Sequence, residues 1–445
     1  MLLAIIAGSF AFTAHPCPAS DALAHALCGS VSVPENYAKA GSREIRLNVV
    51  IFPATATGRG KAAQFDLEGG PGFAITDSAA FYGTDGGAYH ESRDVVLFDM
   101  RGTGDSNALR CTALEDHVRA EPEAPVFPPE LVANCARELA DRADLAQYGT
   151  ANAARDIDAV RAALGYERID LNAASYGTTL ALRYIQDYPD RVRSAVLLGA
   201  APADKTPPAH HAVNAERGLN LLFDACAADA ECARQYPNLR SELAAALGRF
   251  EPERRAVFLE KLRTRLYFPM TERGVPKAIH DAATGTATKL PASSLGDRVF
   301  ADGLYLSITC AESLARMDVA RAIAESDATV FGSYRMQRQR DACAHWPAAP
   351  TDPDLFRMES REVPVLFLSG ALDPVTPPYW AAEAARIFPN SRQVVVPEGG
   401  HGFDGLTGVE TCLDAIVLKF VETLDAAKLD VSCVADMRRE GFEPP

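Results

Sequence analysis

Ser175 stands among small residues in the stretch Leu171-Asn-Ala-Ala-Ser175-Tyr-Gly177. A short strand-like run, Ile169 to Asn172, leads into it, and a helical pattern leads away. That is the shape of a nucleophile elbow, G-x-S-x-G, written here as A-A-S-Y-G with Ala173 in the first glycine position. Such an elbow needs small residues because its Ser sits on a tight turn where bulky neighbours would clash. A Ser hydroxyl is a weak nucleophile and needs a His base, which an acid must orient. Of nine His residues, His401 has the best setting: it follows a strand pattern within Gly399-Gly-His401-Gly402. For the acid, Asp373 lies in Ser369-Gly-Ala-Leu-Asp373-Pro-Val-Thr-Pro377, just past a buried-strand pattern. Loops beyond the carboxyl ends of strands are where α/β sheets place their sites. An oxyanion needs two backbone N–H donors. They are assigned to Tyr176, after the nucleophile, and to Gly70 in Gly69-Gly70-Pro71-Gly72, after an early strand. Taken singly, Asp373 reads equally as a turn or cap residue and His401 as a loop histidine. Their joint order and strand context make the set Ser175, Asp373 and His401 the expected catalytic group.

The elements that would position these residues can be read from periodicity. Arg43 to Phe52 alternates and reads as an antiparallel strand. Ala63–Leu67, Asp94–Asp99, Ile169–Asn172, Val192–Leu198, Val363–Leu368 and Gln393–Val396 read as further strands. Helical spacing appears over Ala151–Leu164, about Thr178–Asp187, Trp380–Ile387 and about Val409–Leu424. Strands alternating with helices predict a mainly parallel sheet covered on both faces. From 203 to 357 the alternation gives way to mostly helical patterns, which reads as a helical cap inserted into the sheet domain. The expected layout is a signal-like segment over 1–14, core over 15–202, cap over 203–357 and core again over 358–445. The chain order Ser, Asp, His is that of the α/β-hydrolase fold.

Composition narrows the function classes. A chain of 445 residues, 48% of them hydrophobic, can bury a large core. The net charge of −15, with no basic stripe, argues against nucleic acid as a partner. Leu2 to Ala14 is too short to span a bilayer and reads as the apolar part of a secretory signal, with cleavage after Ala11 or Ala14. No other stretch predicts stable membrane insertion. Ten Cys residues, none in a C-x-x-C, fit a disulfide-bonded exported protein, periplasmic or extracellular. Sequence alone does not fix their connectivity; nearest-neighbour pairing is the expectation. Gly102-x-Gly104 follows a strand, but Asn107 stands where a dinucleotide fingerprint needs its third Gly. There is no H-E-x-x-H, so zinc-peptidase chemistry is disfavoured.

Several motifs together resemble the prolyl aminopeptidase family, in particular its secreted tripeptidyl-aminopeptidase-like branch. They are Glu68-Gly-Gly-Pro-Gly72, Asp99-Met-Arg-Gly-Thr-Gly-Asp-Ser106, Ser175-Tyr-Gly-Thr-Thr179, Gly370-Ala-Leu-Asp-Pro374 and Gly400-His-Gly402. The resemblance extends over nearly the whole chain, including the Cys412 to Cys433 tail. It implies a serine exopeptidase acting on peptides with a free N-terminus, of tripeptidyl or prolyl type, with no metal or organic cofactor. It also implies that an acid following a Cys in the cap holds the substrate amine. Thr309-Cys310-Ala311-Glu312 matches, so Glu312 is the expected substrate-binding residue, braced by a Cys310–Cys343 bridge. Many relatives carry His where this chain has Glu68, whose carboxylate is expected to face away from the oxyanion. An esterase, thioesterase or lactonase on the same scaffold is the alternative reading, since fold and triad do not fix the acyl substrate. A catalytically silent peptide-binding protein is a further one. Oligomeric state is not legible.

Overall fold

Apolar runs that read as strands come together in one sheet in the computed structural model, which describes residues 10–56, 62–287, 289–292, 299–348 and 351–445. The strands are β1 (Phe12–His15), β2 (Leu27–Pro34), β3 (Glu44–Phe52), β4 (Ala62–Leu67), β5 (Asp94–Phe98), β6 (Arg168–Ala174), β7 (Val192–Leu198), β8 (Val365–Gly370) and β9 (Ser391–Val396). Their order across the sheet is β1-β2-β3-β5-β4-β6-β7-β8-β9. β1, β2, β3 and β5 pair antiparallel, and every neighbour from β5 through β4 to β9 is parallel. Parallel strands are covered on both faces, and Val95 to Phe98 shows the result. Val96 and Phe98 enter one core with Phe65, Leu171 and Phe367, while Val95 and Leu97 enter the other with Val50, Leu366 and Val396. Burying each such side chain contributes roughly 1.5–3 kcal/mol.

Two strands have no counterpart among those read from the sequence. β2 contains Gly29 and two Ser residues and ends on Pro34, a composition that hides it from propensity. β1 overlaps the segment expected to be a leader: Phe12–His15 pairs along β2 as the edge of the sheet. Residues 1–9 of that expected leader lie outside the described residues. No described helix is long and apolar enough to cross a membrane.

Between β7 and β8 the described residues form no strand. The helices Pro207–Ala228, Pro252–Arg265 and Val275–Thr284 share a separate core of Leu219, Leu222, Phe258, Leu262 and Ile279. The helix Asp302–Ile308 instead joins the sheet's core through Leu304, Leu306 and Ile308. All ten cysteines are paired: Cys17–Cys28, Cys111–Cys135, Cys226–Cys232, Cys310–Cys343 and Cys412–Cys433. Each links near neighbours in sequence, as expected. The loop after β5 is structural: Asp99 accepts from Thr76, Asn48 and the Asp105 N–H, and fully buried Arg101 pairs with Asp156 at 2.6 Å.

Candidate active site

Ser175 closes the turn between β6 and the helix Tyr176–Asp187 with φ 54° and ψ −123°. A non-glycine residue held there stores about 1–3 kcal/mol of backbone strain, which surrounding bonds must impose. They do so from several sides. Ser175 N–H donates to Leu198 O at 2.9 Å, and Ser175 O accepts from Thr178 Oγ1 at 2.6 Å. Gly177 is needed for a close approach, since a Cβ there would fall 2.2 Å from Leu67 O. Ala173, in contrast, is an ordinary buried strand residue opposite Leu67, so a methyl group fits where the motif more often has Gly.

Asp373 follows β8 and is fully buried. Its Oδ1 accepts from the backbone N–H of Val375 at 2.7 Å and of Thr376 at 2.9 Å. Its Oδ2 accepts from Thr376 Oγ1 at 2.8 Å and lies 2.9 Å from His401 Nδ1. Burial pushes this carboxyl up. The charge and hydrogen bond of His401, with the two backbone donors, outweigh it and hold Asp373 below the usual carboxylate value. With Nδ1 on the acid, Nε2 is the His401 nitrogen left for proton transfer. His401 and Ser175 flank the end of β7. Ser175 N–H binds Leu198 O, and a Cβ on the next residue, Gly199, would lie 3.1 Å from His401 Cε1. The hydrogen bonds of His401 run to Asp373 and Thr376, and none runs to Ser175. Catalytic hydrogen bonds are often long without substrate and tighten in the complex.

Gly69 packs directly against Ser175, where a Cβ would come within 2.8 Å of Ser175 Cβ. Its N–H donates to Glu68 Oε1 at 2.8 Å, which occupies that donor. Glu68 itself lines the cavity, with this oxygen turned onto the backbone. Gly70 follows at φ 114°, a conformation that keeps side chains away from the spot.

A cavity of about 1570 Å³ gathers Gly70, Ser175, Tyr176, Glu312 and His401 in its lining, with Asp373 buried behind His401. Glu312 lies in a π-helical turn, Thr309–Ser313, a form that recurs at functional sites. Its Oε1 accepts from Thr150 N–H at 2.7 Å and its Oε2 from Thr150 Oγ1 at 2.6 Å. Thr150 Oγ1 is in turn 2.7 Å from Tyr176 OH. Burial raises the Glu312 carboxyl, against the opposing pull of both Thr150 bonds. Among the described residues no three His, Cys, Asp or Glu side chains cluster as metal ligands.

Three residues of this site escaped the sequence reading. Thr376, three positions after Asp373, carries the turn-forming spacing that could have flagged it. Thr150 and Tyr267 carry no such local signal. Tyr267 comes from the end of the Pro252–Arg265 helix and meets the His401 ring edge-on, with centroids 5.4 Å apart.

Comparison with known proteins agrees with this architecture. Residues 67–280 match the α/β hydrolase fold family, and residues 328–433 match the TAP-like protein family. The chain is 32% identical over 223 residues to the serine protease Hip1 of Mycobacterium tuberculosis, covering 47% of this chain and 42% of that protein. It thus spans less than half the length of that relative. It is 26% identical to the tripeptidyl aminopeptidase of Streptomyces lividans, over 91% of this chain and 83% of that protein. A protein named carboxylesterase B, also from M. tuberculosis, is 28% identical over 81% of this chain and 78% of its own length.

Proposed function

The chain belongs to the α/β hydrolases, with a TAP-like C-terminal part, and from that premise we propose that it is a serine exopeptidase acting on free peptide N-termini. The observation that carries this reading is the 2.9 Å Asp373–His401 contact beside Ser175, in a cavity whose wall also holds the carboxylate of Glu312. Mechanistically, His401 Nε2 takes the Ser175 proton as Oγ attacks the scissile carbonyl carbon. The N–H groups of Gly70 and Tyr176 receive the oxyanion, a donor pair in which each member typically supplies about 2.7–4 kcal/mol. His401 then gives the proton to the leaving amine, and water, activated by the same His, releases the acyl group from Ser175. Glu312 would pair with the substrate ammonium, and a desolvated pair of this kind discriminates strongly against a blocked terminus. Release of three residues or of one fits this arrangement. Five disulfides favour an exported destination, periplasmic or extracellular.

Similarity to a protein named carboxylesterase B favours a second reading, hydrolysis of an uncharged ester at the same Ser. Ala-Ala-Pro-p-nitroanilide, free and N-acetylated, separates the two. The exopeptidase cuts only the free form, and Ser175→Ala loses on the order of 10⁶ in rate. Glu312→Gln should reduce the preference for the free amine. Cleavage of aryl esters but of neither anilide would favour the esterase.

A further inference from the structure

The cap wall of the cavity carries a second set of charges, Arg263 buried and Arg335 and Glu260 partly buried, that the mechanism above does not use. Arg263, 4% exposed, grips Glu260 through Nε at 2.8 Å and Nη2 at 2.7 Å, and its Nη1 donates to Tyr267 OH at 2.6 Å. Tyr267 is the ring that lies against His401. Arg335, on the helix Tyr334–Ala344, lies over the rings of Phe127 and Tyr305 and donates through Nη2 to Tyr305 OH at 2.8 Å. Its contact with Glu260 is looser, 3.5 Å from Nη1. Two buried nitrogens in this group have no partner: Arg335 Nε and His211 Nδ1. His211 is 9% exposed, and burial, then the nearby Arg263 and Arg335, drive its ring toward the neutral form. Arg263, Arg335, His211 and Glu260 all line the cavity.

Among the described residues the charges in this wall do not balance. Glu260 is one carboxylate facing two guanidinium groups. Asp302 also feels Arg335, and burial and then Glu115 push it up to about 7. A buried donor without a partner costs about 1–3 kcal/mol and calls for an explanation such as a bound group. The wall also has a direction. Glu312 reaches Tyr176 through Thr150, a place the exopeptidase reading gives to the acyl portion. Arg263 reaches His401 through Tyr267, and Arg335 shares Glu260 with Arg263; on the exopeptidase reading His401 is the group that protonates the leaving amine.

We propose that Arg335, backed by Arg263 and His211, forms an anion subsite that takes a carboxylate on the leaving portion of the peptide. The planar guanidinium fork suits a carboxylate. That group is either the C-terminus of a short peptide or an acidic side chain. The assignment of a leaving portion rests on the exopeptidase reading; the anion subsite itself does not.

Binding to the full chain carrying Ser175→Ala tests both, because no turnover intervenes. The probes are tetra-alanine, its N-acetyl form, its C-terminal amide and Ala-Ala-Ala-Glu amide, titrated calorimetrically. Amidation should weaken binding roughly tenfold or more, as loss of a charged hydrogen bond would. Recovery with the Glu amide identifies a side-chain carboxylate as an accepted source, and no recovery identifies the C-terminus. Adding Arg335→Gln should abolish the difference between acid and amide, while Arg335→Lys should keep part of it. Equal binding of tetra-alanine and both amides overturns the subsite, and so does a difference that survives Arg335→Gln. Should a variant fail to fold, the ratios measured without it still decide. Acetylation tests the amine reading separately: equal binding of free and acetylated peptide would overturn that reading and leave the subsite standing. Failure of all four peptides to bind would overturn both.

Discussion

Asp373 accepts from Val375 N–H, Thr376 N–H, Thr376 Oγ1 and His401 Nδ1, whereas Arg335, on the helix Tyr334–Ala344 that lines the adjoining cavity, leaves Nε with no partner. Asp373 is fully buried, and Arg335 is partly so. The acid is held by a loop fixed to the end of β8, so its donors are in place before any substrate arrives. Preorganised donors of this kind cost no reorganisation at the moment of reaction. The wall around Arg335 instead sets two guanidinium groups against the single carboxylate of Glu260, an arrangement suited to a partner that comes and goes. Glu272 adds a third case. It is fully buried, meets Arg439 Nη1 through Oε1 at 2.9 Å, leaves Oε2 without a partner, and is pushed up to about 7 mainly by burial. Burial alone does not set the charge of these groups; the number and kind of donors around them does.

The strongest test of this contrast is Asp373→Asn. The fold should persist, yet kcat on the preferred substrate should fall on the order of 10⁴, because an amide favours the wrong His401 tautomer. A loss under tenfold would show that the pocket does not orient His401. Next comes the paired change Cys310→Ala, Cys343→Ala, which unties the turn of Glu312 from the helix of Arg335. It should cost about 2–4 kcal/mol in denaturant unfolding, and a smaller shift would mean that packing alone holds the wall. Thr376→Val removes one neutral donor from Asp373. A net bond of about 0.5–1.5 kcal/mol corresponds to a roughly two- to tenfold loss in kcat/KM, with near-native melting.

A further test concerns pH and stability. Glu272 has an ordinary value of 4.5 and a folded value of about 7. Between these, the folded chain keeps a proton that the unfolded chain has released. Its contribution therefore makes stability fall as pH rises from about 4.5 to about 7. Glu272→Gln should flatten that part of the profile, measured as melting temperature against pH. An unchanged slope would mean that Arg439 keeps the acid ionised throughout.

Much of this was legible because it is written locally. The elbow around Ser175, the strand before Asp373 and the glycines around His401 each announce themselves within ten residues. The pairing of ten cysteines as near neighbours was an expectation that the structure shares. β2 was missed because Gly29, Ser30, Ser32 and Pro34 weaken a strand's signal even where a neighbouring strand supplies its hydrogen bonds, and β1 because it overlaps the apolar run read as a leader. Glu312 was reached through its place after Cys310, but its partner Thr150 lies 162 residues away and no spacing rule connects them.

The sequence by itself determined the sheet's parallel half, the nucleophile turn and the order of Ser175, Asp373 and His401. Those depend on periodicity and on residues that tolerate tight turns, which are properties of short segments. Only the tertiary structure decided that the Gly69 N–H is taken by Glu68, which hydroxyl buttresses Asp373, and which ring lies against His401. Such choices are made by side chains that meet across the fold, where burial and partner geometry, not sequence distance, set the energy.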